Sequence, residues 1–212
     1  MDYHEYKANC VQAFVAAILS TGGPVTETLI EAAWYKVVVH QAFKIADYII
    51  EEYSIPVHLC GGTEERPCAE RLCALVRHPE AVVSHVGSLS FQEWASVIQY
   101  ADFVVGNDSA TIHLAAAARR PSVGITGRYD GNQVSPYLID TADSVESLPV
   151  YVQSDVLCEA CHDKGYFFGY ANPACIDNVK KGNCVSCIEA VAVNEVKDAV
   201  DSIRRGRVFA SI

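Results

Sequence analysis

The chain has 212 residues, of which 50% are hydrophobic and 20% are charged, a size and composition typical of one globular α/β domain with its own core. Its formal net charge of −10 argues against nucleic acid as the main partner, although a single nucleotide needs only a local cluster of donors. No apolar run approaches the about 18 residues of a membrane span, and the run 11–19 lacks the basic start of a secretory signal, so we expect a cytoplasmic protein.

The first half of the chain alternates between apolar runs and turn residues. Periodicity predicts, in order, a buried strand or core helix in 11–19, a helix over 37–53, a strand at 56–60, a helix over about 64–77 and an apolar stretch at 81–86. Gly61-Gly62 ends the strand at 56–60. Thr63 is the predicted N-cap of the helix that follows, because two glutamates come directly after it.

The second half continues this alternation. Its predicted elements are a helix ending at 100, a strand at 103–105, a helix at 109–118, and strands at 122–126 and 149–153, before a last helix at 192–204. Strands that alternate with helices predict a Rossmann-like, mostly parallel sheet with helices on both faces. Residues 1–212 are therefore interpreted as a single domain, in which an irregular Cys-rich loop, about 157–190, precedes the last helix.

The stretch 104–117 predicts chemistry most clearly. It combines a buried strand, a short polar turn and a small-residue helix with a histidine in its first turn. Asp108, Ser109 and Thr111 place side-chain oxygens at a helix start, where open N–H groups and the helix dipole favour a phosphate. In the alternative interpretation, Asp108 is only a helix cap and His113 faces the core.

Turns that follow strands meet at one edge of a parallel sheet, and ligands bind at that edge. Three such turns are Gly61-Gly62, Asp108-Ser109 and Gly127. Their convergence strengthens the prediction of a ligand site there.

These residues resemble glycosyltransferase family 9, the ADP-heptose:lipopolysaccharide heptosyltransferase-like proteins, in which a strand ends in Asp-Ser-Gly-Pro-Met-His-Leu-Ala-Ala-Ala. The corresponding residues here are Asp108-Ser109-Ala110-Thr111-Ile112-His113-Leu114-Ala115-Ala116-Ala117. Further matches are Gly61-Gly62 with its glutamates, Lys36 with Phe43, Arg120-Pro121, Thr126-Gly127, Pro136-Tyr137, Cys158-x-x-Cys161 and Cys187-Ile188. The resemblance implies the C-terminal, nucleotide-sugar-binding half of a two-domain GT-B fold.

The resemblance also implies residue roles. The donor diphosphate would bind at Ser109, Ala110 and Thr111, with His113 near the leaving group and Asp108 on sugar hydroxyls. Other ligand contacts would come from Lys36, Gly61, Gly62, Thr63, Glu65 and Gly127. In the alternative interpretation of these six residues, Lys36 is a solvated surface residue and the others form ordinary turns without a ligand.

The expected function is therefore binding of a nucleoside-diphosphate sugar for transfer to a glycan or lipopolysaccharide-type acceptor, with no cofactor required for transfer. Because 212 residues leave no room for the family's acceptor domain, we expect a partner chain or a homo-oligomer to complete the enzyme. The general base is unassigned. The alternatives are a non-catalytic nucleotide-sugar-binding module and an interaction protein stabilised by zinc.

The Cys-rich loop contains two Cys-x-x-Cys pairs. They are Cys158 with Cys161 and Cys184 with Cys187, separated by 22 residues that include Cys175. This spacing suggests a closed, structural zinc site, and free thiols and disulfides are the alternatives.

Overall fold

The computed structural model describes residues 12–15, 33–107, 109–126, 148–153 and 190–205, without the side chains of 12–15, 33–41 and 64. The strands in these ranges are β1 (Gln12–Val15), β2 (Val57–Leu59), β3 (Val82–Ser84), β4 (Ala101–Asn107), β5 (Ser122–Thr126) and β6 (Val150–Gln153). The α-helices are α1 (Ala33–Tyr53), α2 (Arg66–Leu75), α3 (Phe91–Tyr100), α4 (Ala110–Ala117) and α5 (Val193–Arg204).

The six strands form one parallel sheet in the order β3-β2-β1-β4-β5-β6. From the central pair, β1 and β4, the strands follow in chain order to both edges: β2 and then β3 on one side, and β5 and then β6 on the other. This is a doubly wound α/β arrangement, which confirms the predicted fold class. In such sheets the ligand crevice opens at the carboxyl ends of the strands, where the order reverses, and here that point lies between β1 and β4.

Helices cover both faces of the sheet. α1, α2 and α5 pack on one face over a core whose largest members include Ile45, Ile49, Leu72 and Phe103. α3 and α4 pack on the other face around Ile98, Val104 and Ile112. Side chains of β4 alternate between the two cores, as expected for a strand buried on both sides.

One predicted helix begins differently from the expectation. Thr63–Glu65 form a short 3-10 turn, and the α-helix that follows is Arg66–Leu75. Thr63 is not the N-cap, so that prediction was wrong: Gly62 occupies the cap, and its backbone N–H donates to Glu65 Oε2 at 2.7 Å. The hydrogen bond from Gly62 to the Glu65 carboxylate closes this tight turn before α2 begins.

Contacts between α1 and α5 bring the last described helix onto the first. The hydroxyls of Tyr48 and Tyr53 both donate to Asp201 Oδ1, and Arg204 stacks over the ring of Tyr53 with its guanidinium carbon 5.1 Å from the ring centre. Burial, followed by the hydrogen bond to Asp201, raises the pKa of Tyr48 to about 12. We call Tyr48, Tyr53 and Asp201 the α1–α5 cluster.

The described helices include none with the length and apolar character needed to cross a membrane. The predicted Cys-rich loop lies outside the described residues, apart from its last position, 190.

Candidate functional site

The helix start predicted to bind phosphate lies at the carboxyl edge of the sheet. β4 ends at Asn107, and α4 begins at Ala110 with Ser109 as its N-cap in an extended conformation (φ −150°, ψ 179°). The Ser109 side chain makes no capping hydrogen bond. The cap hydroxyl, which is the usual side-chain acceptor at a helix start, is therefore not used by the donors of α4.

Three of the other helical segments in the described ranges begin differently, whereas α2, like α4, has no acidic residue in its first turn. In each of three, a glutamate at the third position returns to the N–H of the cap residue: Glu65 to Gly62 at 2.7 Å, Glu93 to Ser90 at 2.8 Å and Glu195 to Ala192 at 2.8 Å. These carboxylates neutralise the positive end of their own helix. The third position of α4 is Ile112, which is fully buried, so α4 has no such glutamate at that position.

The first turn of α4 has one face in the core and one in solvent. Thr111 is 6% exposed and Ile112 is 0% exposed, whereas Ala110 and His113 lie on the exposed side. The alternative in which His113 faces the core is therefore wrong. His113 lies on the solvent side of the helix start that was predicted to receive phosphate.

The turns after β2 and β3 are joined by backbone hydrogen bonds. His85 N–H donates to Leu59 O at 2.8 Å, and Gly87 N–H donates to Gly61 O at 3.0 Å. Gly87 has a φ of +68°, and a Cβ there would lie 2.8 Å from Thr63 Cα, so only glycine fits. We call residues 61–65 and 85–90 together the β2–β3 turn pair, a preformed surface at the ligand edge.

Glu65 lies inside this surface. It is 7% exposed, and a Cβ on Gly61 would lie 2.2 Å from Glu65 Oε2, so the glycine makes room for the carboxylate. At least one oxygen of Glu65 is thus committed to its own turn. Thr63 is exposed beside it.

Two histidines pack beneath the β2–β3 turn pair. His58 Nδ1 lies 2.9 Å from His85 Nε2, and the rings stack at a centroid distance of 5.2 Å. Burial, and then the neighbouring His85, lower the pKa of His58 to about 4, and burial lowers the pKa of His85. The pair is therefore neutral near pH 7.

Sequence reasoning missed two polar residues at this edge. Asn107 and Thr126 are the last residues of β4 and β5. Asn107 Oδ1 and Thr126 Oγ1 are buried and have no hydrogen-bond partner in the part of the chain that the structure describes. Their position directly before predicted turns was the available signal.

A family model supplies the identification. The model for glycosyltransferase family 9 (heptosyltransferase) matches residues 39–147, which is just over half of the chain. The chain belongs to glycosyltransferase family 9. The match spans the β2–β3 turn pair, the start of α4 and the end of β5.

Solved structures have the fold of this family 9 chain. ADP-heptose lipopolysaccharide heptosyltransferase II of E. coli aligns with a TM-score of 0.62 and 14% identity over 96% of this chain and 52% of its own. The family 9 glycosyl transferase of Veillonella parvula aligns with a TM-score of 0.59 and 14% identity over 95% of this chain and 48% of its own. E. coli heptosyltransferase WaaC with ADP aligns with a TM-score of 0.53 and 16% identity over 92% of this chain and 45% of its own. The chain spans about half the length of these structures. No curated protein matches it.

Several predicted site residues of the family 9 chain are not described. Asp108, Gly127 and the cysteines at 158, 161, 175, 184 and 187 lie outside the described residues, and Lys36 lies in α1 without a described side chain. Within the described ranges, no group of three histidine, cysteine or acidic side chains is placed to hold a metal ion. The structure brings Ser109, Ala110 and the β2–β3 turn pair to one edge of the sheet.

Proposed function

We propose that this family 9 domain binds a nucleoside-diphosphate sugar, with the diphosphate at the N-terminus of α4. The observation that carries the proposal is the start of α4, which lies at the reversal point of the sheet and, unlike α3 and α5, has no acidic residue in its first turn. An external anion would take the place that Glu93 and Glu195 fill in those two helices.

The diphosphate would accept hydrogen bonds from the first N–H groups of α4 and from the Ser109 hydroxyl. His113, exposed one turn into the helix, would donate to a phosphate oxygen as negative charge develops on the leaving group. Asp108 would accept from sugar hydroxyls, because its charge opposes that of phosphate. Lys36, three residues after the first residue of α1, would add a positive charge.

The nucleoside would lie on the β2–β3 turn pair. Its backbone is fixed by the hydrogen bonds between Gly61 and Gly87, and Thr63 offers an exposed hydroxyl. A rigid surface of this kind costs little conformational entropy when a ligand binds. Gly127 would allow close approach of the backbone after β5.

Glycosyl transfer also needs a base for the acceptor hydroxyl, and we assign that base to another domain or chain. Because residues 1–212 span about half the length of their structural relatives, we propose that a separate acceptor domain completes the enzyme. The acceptor would be a glycan of the lipopolysaccharide type. We place the reaction in the cytoplasm, which suits the free thiols of Cys60, Cys68 and Cys73.

Replacement of Ala110 by proline tests the diphosphate site. Ala110→Pro removes one N–H donor, while proline at the first helical position after an extended Ser109 preserves the helix. Ala110→Ser retains the N–H and is the matched control. Calorimetric titration with ADP, UDP and their glucose conjugates should show about tenfold weaker binding for the proline variant alone. Equal affinity in all three proteins would contradict the site.

A second candidate function is a non-catalytic nucleotide-sugar-binding module, since the groups that we assign at the sheet edge bind a donor and include no base for an acceptor. The two functions differ in chemistry and not in binding. Sugar release from a bound donor, measured with and without candidate acceptor-domain chains, separates them: binding without hydrolysis or transfer in any combination supports the module.

We further propose that Cys158, Cys161, Cys184 and Cys187 bind a structural zinc ion, with Cys175 as an alternative ligand. Four thiolates in tetrahedral geometry leave no open position, so such a zinc would stabilise the loop and take no part in transfer. Metal analysis of the purified chain tests this: one equivalent of zinc is expected, and its absence would refute the site.

A further inference from the structure

Arg66 lies against the β2–β3 turn pair, at the edge of the sheet where the nucleoside would bind. It is the first residue of α2, and its guanidinium reaches across to the turn after β3, where Nη2 donates to Gly87 O at 3.4 Å. Gly87 leaves room for this group, since a Cβ on that residue would lie 3.2 Å from Arg66 Nη2. The arginine therefore spans the two turns that form the proposed nucleoside surface.

Most of the hydrogen-bond donors of Arg66 are unused. Gly87 O is the one partner that its guanidinium has in the part of the chain that the structure describes, and the residue is exposed. The neighbouring carboxylate of Glu65 accepts from Gly62, and Glu70, one helical turn further on, forms no ion pair with Arg66. Because a guanidinium carries several N–H donors in a fixed planar fork, a ligand on this surface would meet an unneutralised cation with donors to offer.

The sheet order determines which part of the ligand meets Arg66. Two strand spacings, or about 10 Å, separate β2, which precedes α2, from β4, which precedes α4. The guanidinium also extends further from α4, towards the turn after β3. A diphosphate at α4 would extend its ribose and base across this separation, so the base, and not the phosphate, would reach Arg66.

The fork of an arginine fits guanine better than it fits other bases. Its two parallel N–H groups need two acceptors side by side, which guanine presents as O6 and N7. Adenine places the N6 amino group, a donor, beside its N7, and uracil, like thymine, offers O4 alone. Glutamine, which has one donor and one acceptor, pairs in the same way with adenine.

We propose that Arg66 recognises the base of the donor, and that the donor of this domain is a guanosine diphosphate sugar. Arg66 would donate to O6 and N7 of guanine, while its contact with Gly87 O holds the guanidinium in place. This inference rests on the proposed function, since it requires the diphosphate at α4 and the nucleoside on the β2–β3 turn pair. It makes Arg66 a specificity-determining residue that contacts the base and leaves the phosphates to α4.

Calorimetric titration of the full chain with GDP, ADP, UDP and inorganic pyrophosphate tests the inference. The wild type should bind GDP about tenfold more tightly than ADP or UDP. Arg66→Lys retains the charge and loses the fork, so its affinity for GDP should fall to that for ADP, whereas Arg66→Gln should bind ADP more tightly than GDP. Arg71→Gln, the same change at another exposed arginine of α2, is the control and should keep the wild-type order. Pyrophosphate should bind equally to all four proteins.

Four outcomes decide the matter. A wild type that binds the three nucleotides equally, or prefers ADP or UDP, overturns the inference and leaves the diphosphate site standing. A preference for GDP that survives in Arg66→Lys overturns it too, because charge alone would then explain the preference. Equal weakening for GDP and pyrophosphate in Arg66→Gln would assign Arg66 to the phosphates, which also overturns it. Failure of the wild type to bind pyrophosphate or any nucleotide refutes the proposed function itself.

Discussion

Asp47 contacts Arg77 through both oxygens of its buried carboxylate. Asp47 Oδ1 accepts the backbone N–H of Arg77 at 2.8 Å, and Oδ2 accepts its Nε at 3.2 Å. The Asp47 side chain is 3% exposed, whereas that of Arg77 is 64% exposed and also contacts Glu51. The pair ties α1 to the segment between α2 and β3, and therefore to the strand that leads into the β2–β3 turn pair.

Asp47→Ala should lower the free energy of unfolding by about 2–4 kcal/mol, because it leaves the Arg77 N–H without its acceptor and opens a small cavity. Glu51→Ala removes the more exposed partner of the same arginine and should cost about 1 kcal/mol or less. Urea denaturation of both variants measures the difference. Similar decreases in the free energy of unfolding of the two variants would show that the buried contact with Asp47 stabilises the fold no more than the exposed contact with Glu51.

Gly87→Ala should be strongly destabilising. The φ of +68° disfavours any side chain, and the new Cβ would press on Thr63 at 2.8 Å, so we expect a loss of about 2 kcal/mol or more. Gly62→Ala is the matched control, since Gly62 has a φ of −72° that alanine adopts readily. Thermal denaturation should separate the two variants, and a Gly87→Ala protein as stable as wild type would contradict the strained turn.

The stacked histidines predict a stability that falls in acid. The pKa of His58 is lowered from 6.5 to about 4, so the unfolded chain binds the proton more readily than the folded one. The free energy of unfolding that depends on a neutral His58 is therefore fully present above pH 6.5 and is lost as the pH falls from 6.5 towards 4. Between pH 7 and pH 5 we expect a loss of about 1 kcal/mol after allowance for partial exposure, measurable by urea denaturation.

His58→Gln should reduce this pH dependence, because the group that takes up the proton is removed. His78→Gln, which replaces a histidine whose side chain is 42% exposed, is the control and should retain the wild-type dependence. An unchanged pH profile in His58→Gln would show that other groups cause the acid sensitivity.

The α1–α5 cluster predicts that each tyrosine hydroxyl contributes separately. Tyr48→Phe and Tyr53→Phe should each cost about 1 kcal/mol, because a hydrogen bond to a charged acceptor is lost while the ring remains. Asp201→Asn should cost more than either, since both hydroxyls lose their charged acceptor. Denaturation of the three variants measures this order, and a neutral Asp201→Asn would contradict it.

Local patterns were enough to predict most elements. The strand predicted at 122–126 is β5, and the helix predicted at 192–204 is Val193–Arg204, because apolar periodicity and flanking turn residues act within a few positions. The helix over 64–77 was mispredicted at its start because Glu65 folds back onto Gly62. The position of the Glu65 carboxylate depends on the space left by Gly61, and the spacing of apolar residues does not predict that space.

The candidate site was predictable only in part. Ser109 was placed correctly at a helix start because turn residues follow a buried strand in the sequence. The contact of His58 with His85 was not predictable, since it depends on which strands become neighbours. Strand order depends on how all the strands and helices pack together, so local sequence patterns do not predict it.

The same strand order constrains how the chain assembles in time. Phe14 in β1 pairs with His58 on one side and, on the other, with Val104, which is 90 residues further along the chain. During synthesis β1 can join β2 and β3 while its second edge waits for β4 to leave the ribosome. Contacts of such long range slow folding and leave an open strand edge on the nascent chain. The pair of strands at which the ligand crevice opens, β1 and β4, is therefore the pair that forms late.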